Sequence, residues 1–511
     1  MTILADLLPL PHLADAPLSL ADAPLSLADA PLSLADAPLS LAEILGALSH
    51  ALDLTSGQAM GHAQRTCLIG MRLGREIGLP PAQLSSLYYA LLMKDAGCSS
   101  NAARMFEIFG SDDIEAKRAG KIVDWSNLVE ALKYAAHHTL PESPLLARAR
   151  RMLSIAANPN AVNQSFMHSR CSRGAQIALA IGLANEAAEC IRALDEHWDG
   201  QGQPYHTQGD QIPVLARIAC IAQTMEVFST TFGLGAAYEV VRARSRRWFD
   251  PQLVQAAHAF RQDDAFWQGV QNNARGELRQ LDMSTGTRAA SPSSIDSVCN
   301  AFAQIVDAKS PFTGEHSSRV AHYAVEIAQS LGFDTLRTQQ MRRAGLLHDV
   351  GKLAVSNAIL DKPGPLSDDE WAIVRRHPYH SQQILGQIRG FERLTQIAAA
   401  HHERLDGRGY FQGLGAADLD LDMRVLACAD VFDALSAHRP YRDAMPMSKV
   451  FGILDKDAGV ALDADCIAAL KSRYGDLELM PASVFAPIAS ALSPAPPPPE
   501  ADDGLRPLRA A

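Results

Sequence analysis

The 511-residue chain has no Cys-x-x-Cys spacing. Its eight cysteines (Cys67, Cys98, Cys171, Cys190, Cys220, Cys299, Cys428 and Cys466) are scattered, which argues against a disulfide framework or zinc knuckle and for a reduced, cytoplasmic protein with buried thiols. No apolar run approaches the roughly 20 residues needed to cross a bilayer. No basic segment precedes an apolar core at the N-terminus, so neither membrane insertion nor secretion is expected. Positive charge is also short. The formal net charge is -11 and the pI about 5.9, which makes a nucleic-acid polymer a poor partner. A small anionic substrate is compatible if metals and a few basic side chains meet its charge locally. Strand-like alternation is scarce, and Gly and Pro gather at boundaries. The 47% apolar content is therefore assigned to the cores of helical domains, an all-α chain of two to four domains.

Residues 13–40 are four perfect copies of Leu-Ala-Asp-Ala-Pro-Leu-Ser. A period of seven invites a coiled coil, but Pro17, Pro24, Pro31 and Pro38 recur in every copy. Proline in a helix interior costs about 3 kcal/mol, so residues 1–41 are read as a low-complexity, disordered leader. The stretch 481–511, with its run of prolines, is read as a disordered tail. Between them, the hydrophilic run Ser284–Ser294 reads as a linker separating residues 42–283 from residues 295–480. The two parts echo each other. His62 precedes Lys94 by 32 residues, and His316 precedes His348 by 32. Asp199-Gly200-Gln201-Gly202 matches Asp406-Gly407-Arg408-Gly409 at an offset of 207. One fold is expected twice, with a longer insertion in the first copy. The basic cluster Arg242, Arg244, Arg246 and Arg247 is read as a solvated helix face.

The second part holds His316, His348, Asp349, His377, His401, His402 and Asp430 on separate predicted helices or their ends. Five imidazoles and two carboxylates are about what two divalent ions need, with positions left for water. Asp349 is the natural bridging ligand. Two such ions activate a hydroxide and clamp a phosphodiester for in-line attack. Lys352 lies one turn beyond His348-Asp349, where its ammonium can neutralise a phosphate oxygen. Arg439 and Arg442 follow Asp430 and suit bidentate phosphate contacts. Ser367 with Glu370 three residues on is a capping box ahead of the helix that carries His377.

Over about residues 295–480 the chain resembles the HD-GYP family, a branch of the HD phosphohydrolase superfamily. The resemblance is carried by Thr313-Gly314-Glu315-His316-Ser317, His348-Asp349-Val350-Gly351-Lys352, Lys362-Pro363-Gly364-Pro365-Leu366 and His377-Pro378. It continues through His401-His402-Glu403, Asp406-Gly407, Gly409-Tyr410, Ala429-Asp430-Val431-Phe432-Asp433-Ala434-Leu435 and Arg439-Pro440-Tyr441-Arg442. It implies tandem HD-type helical domains, two or three metals (iron or manganese), and cyclic di-GMP hydrolysis. It also implies substrate contacts at Lys352, Tyr410, Arg439 and Arg442, with catalytic roles for Asp349 and Lys352. A GGDEF-type signalling partner and a homodimer are further expectations. Two departures stand out. The glutamate that serves a third metal in the family is replaced by Phe312, which favours two ions. The signature Gly-Tyr-Pro is Gly409-Tyr410-Phe411, which removes a fixed φ and loosens the loop.

In the first part the positions of His348, His377, His401, His402 and Asp430 hold Lys94, Arg170, Leu194, Asp195 and Gln223, leaving only His62 and Asp95. It reads as a degenerate HD domain with its metal ligands lost, regulating or scaffolding the second. The alternatives are hydrolysis of another cyclic dinucleotide or nucleotide, or a metal-retaining, non-catalytic signalling or binding protein.

Overall fold

The structure is a computed structural model that describes residues 39–480 apart from 142, 158, 286, 287, 311–313, 363 and 438–443. Most of the leader, the tail, Phe312, Arg439 and Arg442 therefore lie outside the described residues. Apart from three isolated bridges, every regular element among the described residues is helical.

The second half is organised on the helices His316–Ser330, Thr335–Leu347 and Leu421–Ser436. The first of these buries Val320, Ala321, Ala324, Ile327 and Ala328, spaced by three and four residues so that one stripe faces the core. Asp420 caps the helix Leu421–Ser436 by accepting from the backbone N–H groups of Asp422 and Met423, a contribution of about 1 kcal/mol. Ser367 and Glu370 form the reciprocal capping box.

The first half repeats this plan with His62–Glu76, Pro81–Met93 and Val214–Phe232 packed on one another. Its scaffold is copied at the level of single hydrogen bonds. Asp53 accepts from Gly61 N at 2.8 Å and Ala63 N at 2.9 Å. At the matching place in the second half, Asp307 accepts from Ser317 N at 3.2 Å and Ser317 Oγ at 2.7 Å. The close approach after each Asp is copied too. A Cβ on Gly351 would lie 2.0 Å from His377 O, and one on Gly97 would lie 1.9 Å from Arg170 O. Only glycine lets the chain after Asp349 press against the helix that starts at His377.

The stretch read as a linker is shorter than expected. One helix runs on to Thr285 and the next begins at Pro292, with Ser291 as its N-cap. Arg288 and Ala290, just ahead of that cap, are tied to the start of the first half, by Leu41 N to Arg288 O at 2.9 Å and Ala290 N to Leu39 O at 2.8 Å. The helices that open the two halves cross over. Leu41–Thr55 packs on the turn Val350–Ala354 and the helix His377–Leu385, while Pro292–Asp307 reaches the helix Pro159–Ala180. Leu41, Leu48, Val298, Phe302 and Leu353 accordingly belong to one continuous buried core.

Polar contacts also join the halves. Asp113 accepts from Asn357 N at 2.8 Å and pairs with Lys117 at 2.8 Å. Burial alone would raise its pKa, but Lys309 and Lys117 outweigh this and hold it down at about 2. Gln387 donates to His50 Nδ1 at 2.8 Å. The basic cluster departs from a solvated face at Arg244. That side chain is buried, with its guanidinium 4.0 Å over the Trp248 ring and donating to Ile122 O at 3.2 Å. Stacking on an indole offsets the loss of water around a guanidinium.

Candidate metal centre

The seven His and Asp residues converge from five places in the chain. His316 opens its helix, His348 and Asp349 follow the end of Thr335–Leu347, and His377 opens His377–Leu385. His401 and His402 lie just past Glu392–Ala399, and Asp430 sits inside Leu421–Ser436. Ligand atoms lie within 4.8 Å of one another in three groups: His377, His401 and His402; His316, His348 and Asp430; and His348, Asp349 and His401.

His348 and His401 each belong to two of these groups, and Asp349 lies between them. Its Oδ2 lies 3.3 Å from His348 Nε2 and 3.4 Å from His316 Nε2. Its Oδ1 lies 3.3 Å from His377 Nε2 and 3.6 Å from His401 Nε2. Asp430 continues the ring, with Oδ1 3.3 Å from His316 Nε2 and Oδ2 3.6 Å from His402 Nδ1. Each carboxylate thus turns one oxygen to one group of imidazoles and the other oxygen to another.

The imidazoles are aimed by backbone. His348, His377 and His401 each donate Nδ1–H to the carbonyl three residues earlier: Gly345 O at 2.8 Å, Val374 O at 2.7 Å and Ala398 O at 2.6 Å. With the proton on Nδ1, the Nε2 lone pair points inward, which is the arrangement a metal ligand needs. His348 Nε2 and Asp349 Oδ1 are buried and have no hydrogen-bond partner. Buried polar atoms are normally paired, and two inward-facing acceptors left over in this way fit a bound cation. The donor set, nitrogen with carboxylate oxygen and no thiolate, suits borderline to hard divalent ions.

Electrostatics points the same way. Burial lowers His377 to about 4, lowers His401 and holds His402 well below the usual value, so all three are neutral near pH 7. Burial alone would raise Asp349 and Asp430. His348 and Lys352 around the first, and His316 and His402 around the second, outweigh it and keep both ionised. Neutral imidazoles and ionised carboxylates are the ligand forms. His316 differs: burial lowers it, but hydrogen bonds to Asp349, Asp430 and Asp433 more than compensate and hold it well above the usual value.

Lys352 donates to Asp349 Oδ2 at 2.5 Å and is 20% exposed, the cation nearest the shared carboxylate. The Tyr410 ring lies 4.7 Å from that of His402. Two supporting residues were not singled out from sequence. Asp433 is buried, accepts from His316 Nδ1 at 2.7 Å and from Arg319 Nε at 2.6 Å, and so anchors the ring from behind. Its place one turn after Asp430 put it near the same helix face but did not distinguish it from a surface carboxylate. Glu403 accepts from the N–H groups of Gln412, Gly413 and Leu414 at 2.7, 3.1 and 3.0 Å, pinning the loop that carries Tyr410 and Phe411.

The first half keeps the anchor and replaces the centre. Glu226, at the position of Asp433, takes the hydrogen bond of His62 Nδ1 and pairs with Arg65, as Asp433 does with His316 and Arg319. Between His62 and Asp95, however, stand two ammonium groups. Lys94 bonds Asp95 and lies 2.8 Å from His62 Nε2. Lys121, from the insertion, lies 3.1 Å from Asp95 and 3.2 Å from His62 Nε2. Lys94 is lowered to about 8 by burial, which the Asp95 charge only partly offsets. Arg170 pairs with Asp195, and Leu194 is buried at the place of His401. Among the described residues, the groups able to hold a metal all lie in the second half.

A family model described as "HD domain" matches residues 150–253 and 300–466, one stretch in each half. The 3′3′-cGAMP-specific phosphodiesterase 3 of Vibrio cholerae is 40% identical over 436 residues, 85% of this chain and 94% of that protein. The cyclic di-GMP phosphodiesterase response regulator RpfG of Xanthomonas campestris is 35% identical over 179 residues, 35% of this chain and 47% of its own. The crystal structure of a V. cholerae cyclic GMP-AMP phosphodiesterase, V-cGAP3, superposes with a TM-score of 0.59 at 35% identity, covering 86% of this chain and 99% of the other.

Proposed function

Because the chain belongs to the HD-GYP family of the HD superfamily, we propose that its second half is a metal-dependent phosphodiesterase acting on cyclic dinucleotides, with 3′3′-cGAMP the foremost candidate. The observation that carries this reading is Asp349, which offers its two oxygens to two different groups of inward-facing imidazoles. Cyclic di-GMP, expected from the family resemblance, is the second reading. It is favoured by relatives such as RpfG that match about a third of the chain, whereas one of the relatives named for 3′3′-cGAMP matches 85% of the chain and so spans both halves.

His316, His348, Asp349, His377, His401, His402 and Asp430 would hold two divalent ions, iron or manganese. When bound, such ions supply Lewis acidity and an activated water at neutral pH. The protein's own part is arrangement. Backbone carbonyls fix the imidazole tautomers, Asp433 fixes His316, and burial keeps three imidazoles neutral. Lys352 neutralises a non-bridging phosphate oxygen as negative charge accumulates at phosphorus. Tyr410, flanking His402, contacts the substrate beside the centre, and Arg439 and Arg442 bind its phosphates. In hydrolysis the oxygen of a water bonds to phosphorus, the bond from phosphorus to the 3′ oxygen breaks, and the 3′ oxygen takes up the proton that the water gives up. The first half, with ammonium groups at its centre and a core shared with the second, acts as scaffold or regulator. The cytoplasmic location, the GGDEF-type partner and the homodimer rest on the sequence reading alone.

The test is anaerobically purified protein, loaded with iron or manganese, given 3′3′-cGAMP, cyclic di-GMP and cyclic di-AMP. Turnover of at least one is expected, and Asp349→Ala should lose it together with bound metal. No turnover at full metal occupancy refutes the reading, and full activity in Asp349→Ala refutes the site.

A further inference from the structure

One basic side chain at the rim of the metal centre has no carboxylate partner among the described residues. Arg375, exposed at the end of the short helix Asp368–Val374, lies with its guanidinium carbon 5.6 Å from the Tyr410 ring and 5.7 Å from the Trp371 ring. Tyr410 in turn packs on His402, so Arg375 stands two ring contacts from the proposed metal ligands. The rim around it is aromatic and open. Trp371 is 44% and Tyr379 38% exposed, and Tyr379 meets Phe411 edge-on at 6.0 Å.

Exposed aromatic rings grouped around a guanidinium with no carboxylate partner, at the mouth of a candidate site, form a surface suited to a flat polar ligand. The first half, whose centre is filled by lysines, carries none of these four residues. At the same offset of 207, Trp371, Arg375, Tyr379 and Tyr410 correspond to Gln164, His168, Ser172 and Gln203. Arg375 with its flanking rings thus occurs in the copy with the intact ligand set, whereas the other copy places His168 against Tyr205 instead.

A guanidinium steadied by rings keeps its in-plane N–H donors available and has no acceptor. Among purine edges, guanine offers two adjacent acceptors, O6 and N7, which match such a fork. Adenine pairs one acceptor with an amino donor and does not match. We propose that Arg375, held by Trp371 and Tyr410, binds the O6/N7 edge of a guanine of the substrate, making it a specificity-determining residue. This inference rests on the cyclic-dinucleotide reading above. The scissile phosphate sits at the metal centre, Arg375 takes a guanine base, and the exposed rings of Trp371 and Tyr379 offer stacking faces for it.

The test is Arg375→Ala and Arg375→Lys in metal-loaded protein, with KM and kcat measured on 3′3′-cGAMP, cyclic di-GMP and cyclic di-AMP, and Kd measured by calorimetry. Arg375→Ala should raise KM and Kd for the two guanine-containing ligands about tenfold, equivalent to about 1.4 kcal/mol. It should affect kcat less, and leave cyclic di-AMP binding and metal content unchanged. Arg375→Lys, which keeps the charge but not the fork, should not restore affinity. Full rescue by lysine, an equal loss with cyclic di-AMP, or no loss at all overturns the assignment. If the wild type hydrolyses none of the three, the enzymatic reading fails. The binding titrations then judge Arg375 separately, and a wild type without guanine preference, or without binding, overturns it.

Discussion

Asp433 makes a demanding test of how the centre is built, because it is placed to touch no metal. It is buried, takes the Nδ1 proton of His316 at 2.7 Å, and is held by Arg319 at 2.6 and 3.0 Å. Asp433→Asn keeps the shape and one acceptor oxygen for Arg319 but removes the charge that orients the imidazole and makes it more basic. Outer-shell partners of this kind are worth about 10- to 100-fold in metal affinity, or about 1.4–2.7 kcal/mol. The readout is a metal-binding isotherm on apo protein, with a urea titration run alongside to separate any loss of fold. Turnover in the variant should recover at saturating metal. The first half supplies a control. Glu226→Gln alters the equivalent anchor beside Lys94 and Lys121, and should leave the isotherm unmoved. Unchanged metal affinity in Asp433→Asn, or an equal loss in Glu226→Gln, would refute the account of which copy holds metal and how.

Gly351→Ala places a Cβ 2.0 Å from His377 O and 2.7 Å from Ser381 N. It should lower stability by about 3 kcal/mol, visible as a depressed melting temperature, and an unshifted Tm would show that this close approach is not needed. Acid should loosen the contact between the halves. Burial, only partly offset by a hydrogen bond with Gln64, lowers His50 to about 4, against about 6.5 in an unfolded chain. The unfolded state therefore takes up this proton first as pH falls. The stability tied to neutral His50 is complete above about pH 6.5 and is lost toward pH 4, on the order of 3 kcal/mol in full. Urea midpoints at pH 7 and pH 5 should differ less in His50→Gln than in the wild type; an identical difference would exclude His50 as the cause.

The convergence of the seven His and Asp residues was legible because each lies in a short motif whose chemistry survives translation into distance: His348-Asp349, His401-His402, and single residues opening or lying inside amphipathic helices. The duplication was legible for the same reason, since spacing between like residues is a property of sequence. Asp433 was hidden, because a carboxylate one turn beyond a ligand is indistinguishable in sequence from a surface residue until the helix is rotated against its neighbour. Arg244 was misplaced because four arginines in six residues look solvated, and only the packing of Trp248 beneath one of them shows otherwise. The linker was overextended because a serine-rich stretch with Pro292 is equally good as a helix start, with Ser291 as cap and proline in the first turn.

Residue type and spacing by themselves determined that this is an all-helical, duplicated chain with a candidate metal-ligand set in one copy, because both helix periodicity and side-chain donor type are written locally. What occupies the other copy was decided only by tertiary structure. Lys94 was visible as a lost histidine, but that Lys121 arrives from an insertion to share Asp95 with it depends on a fold closing over 26 residues. So does the crossing of the two opening helices, which makes one core of what reads as two domains. Contacts between segments distant in sequence leave no periodic trace, and only the folded chain brings them together.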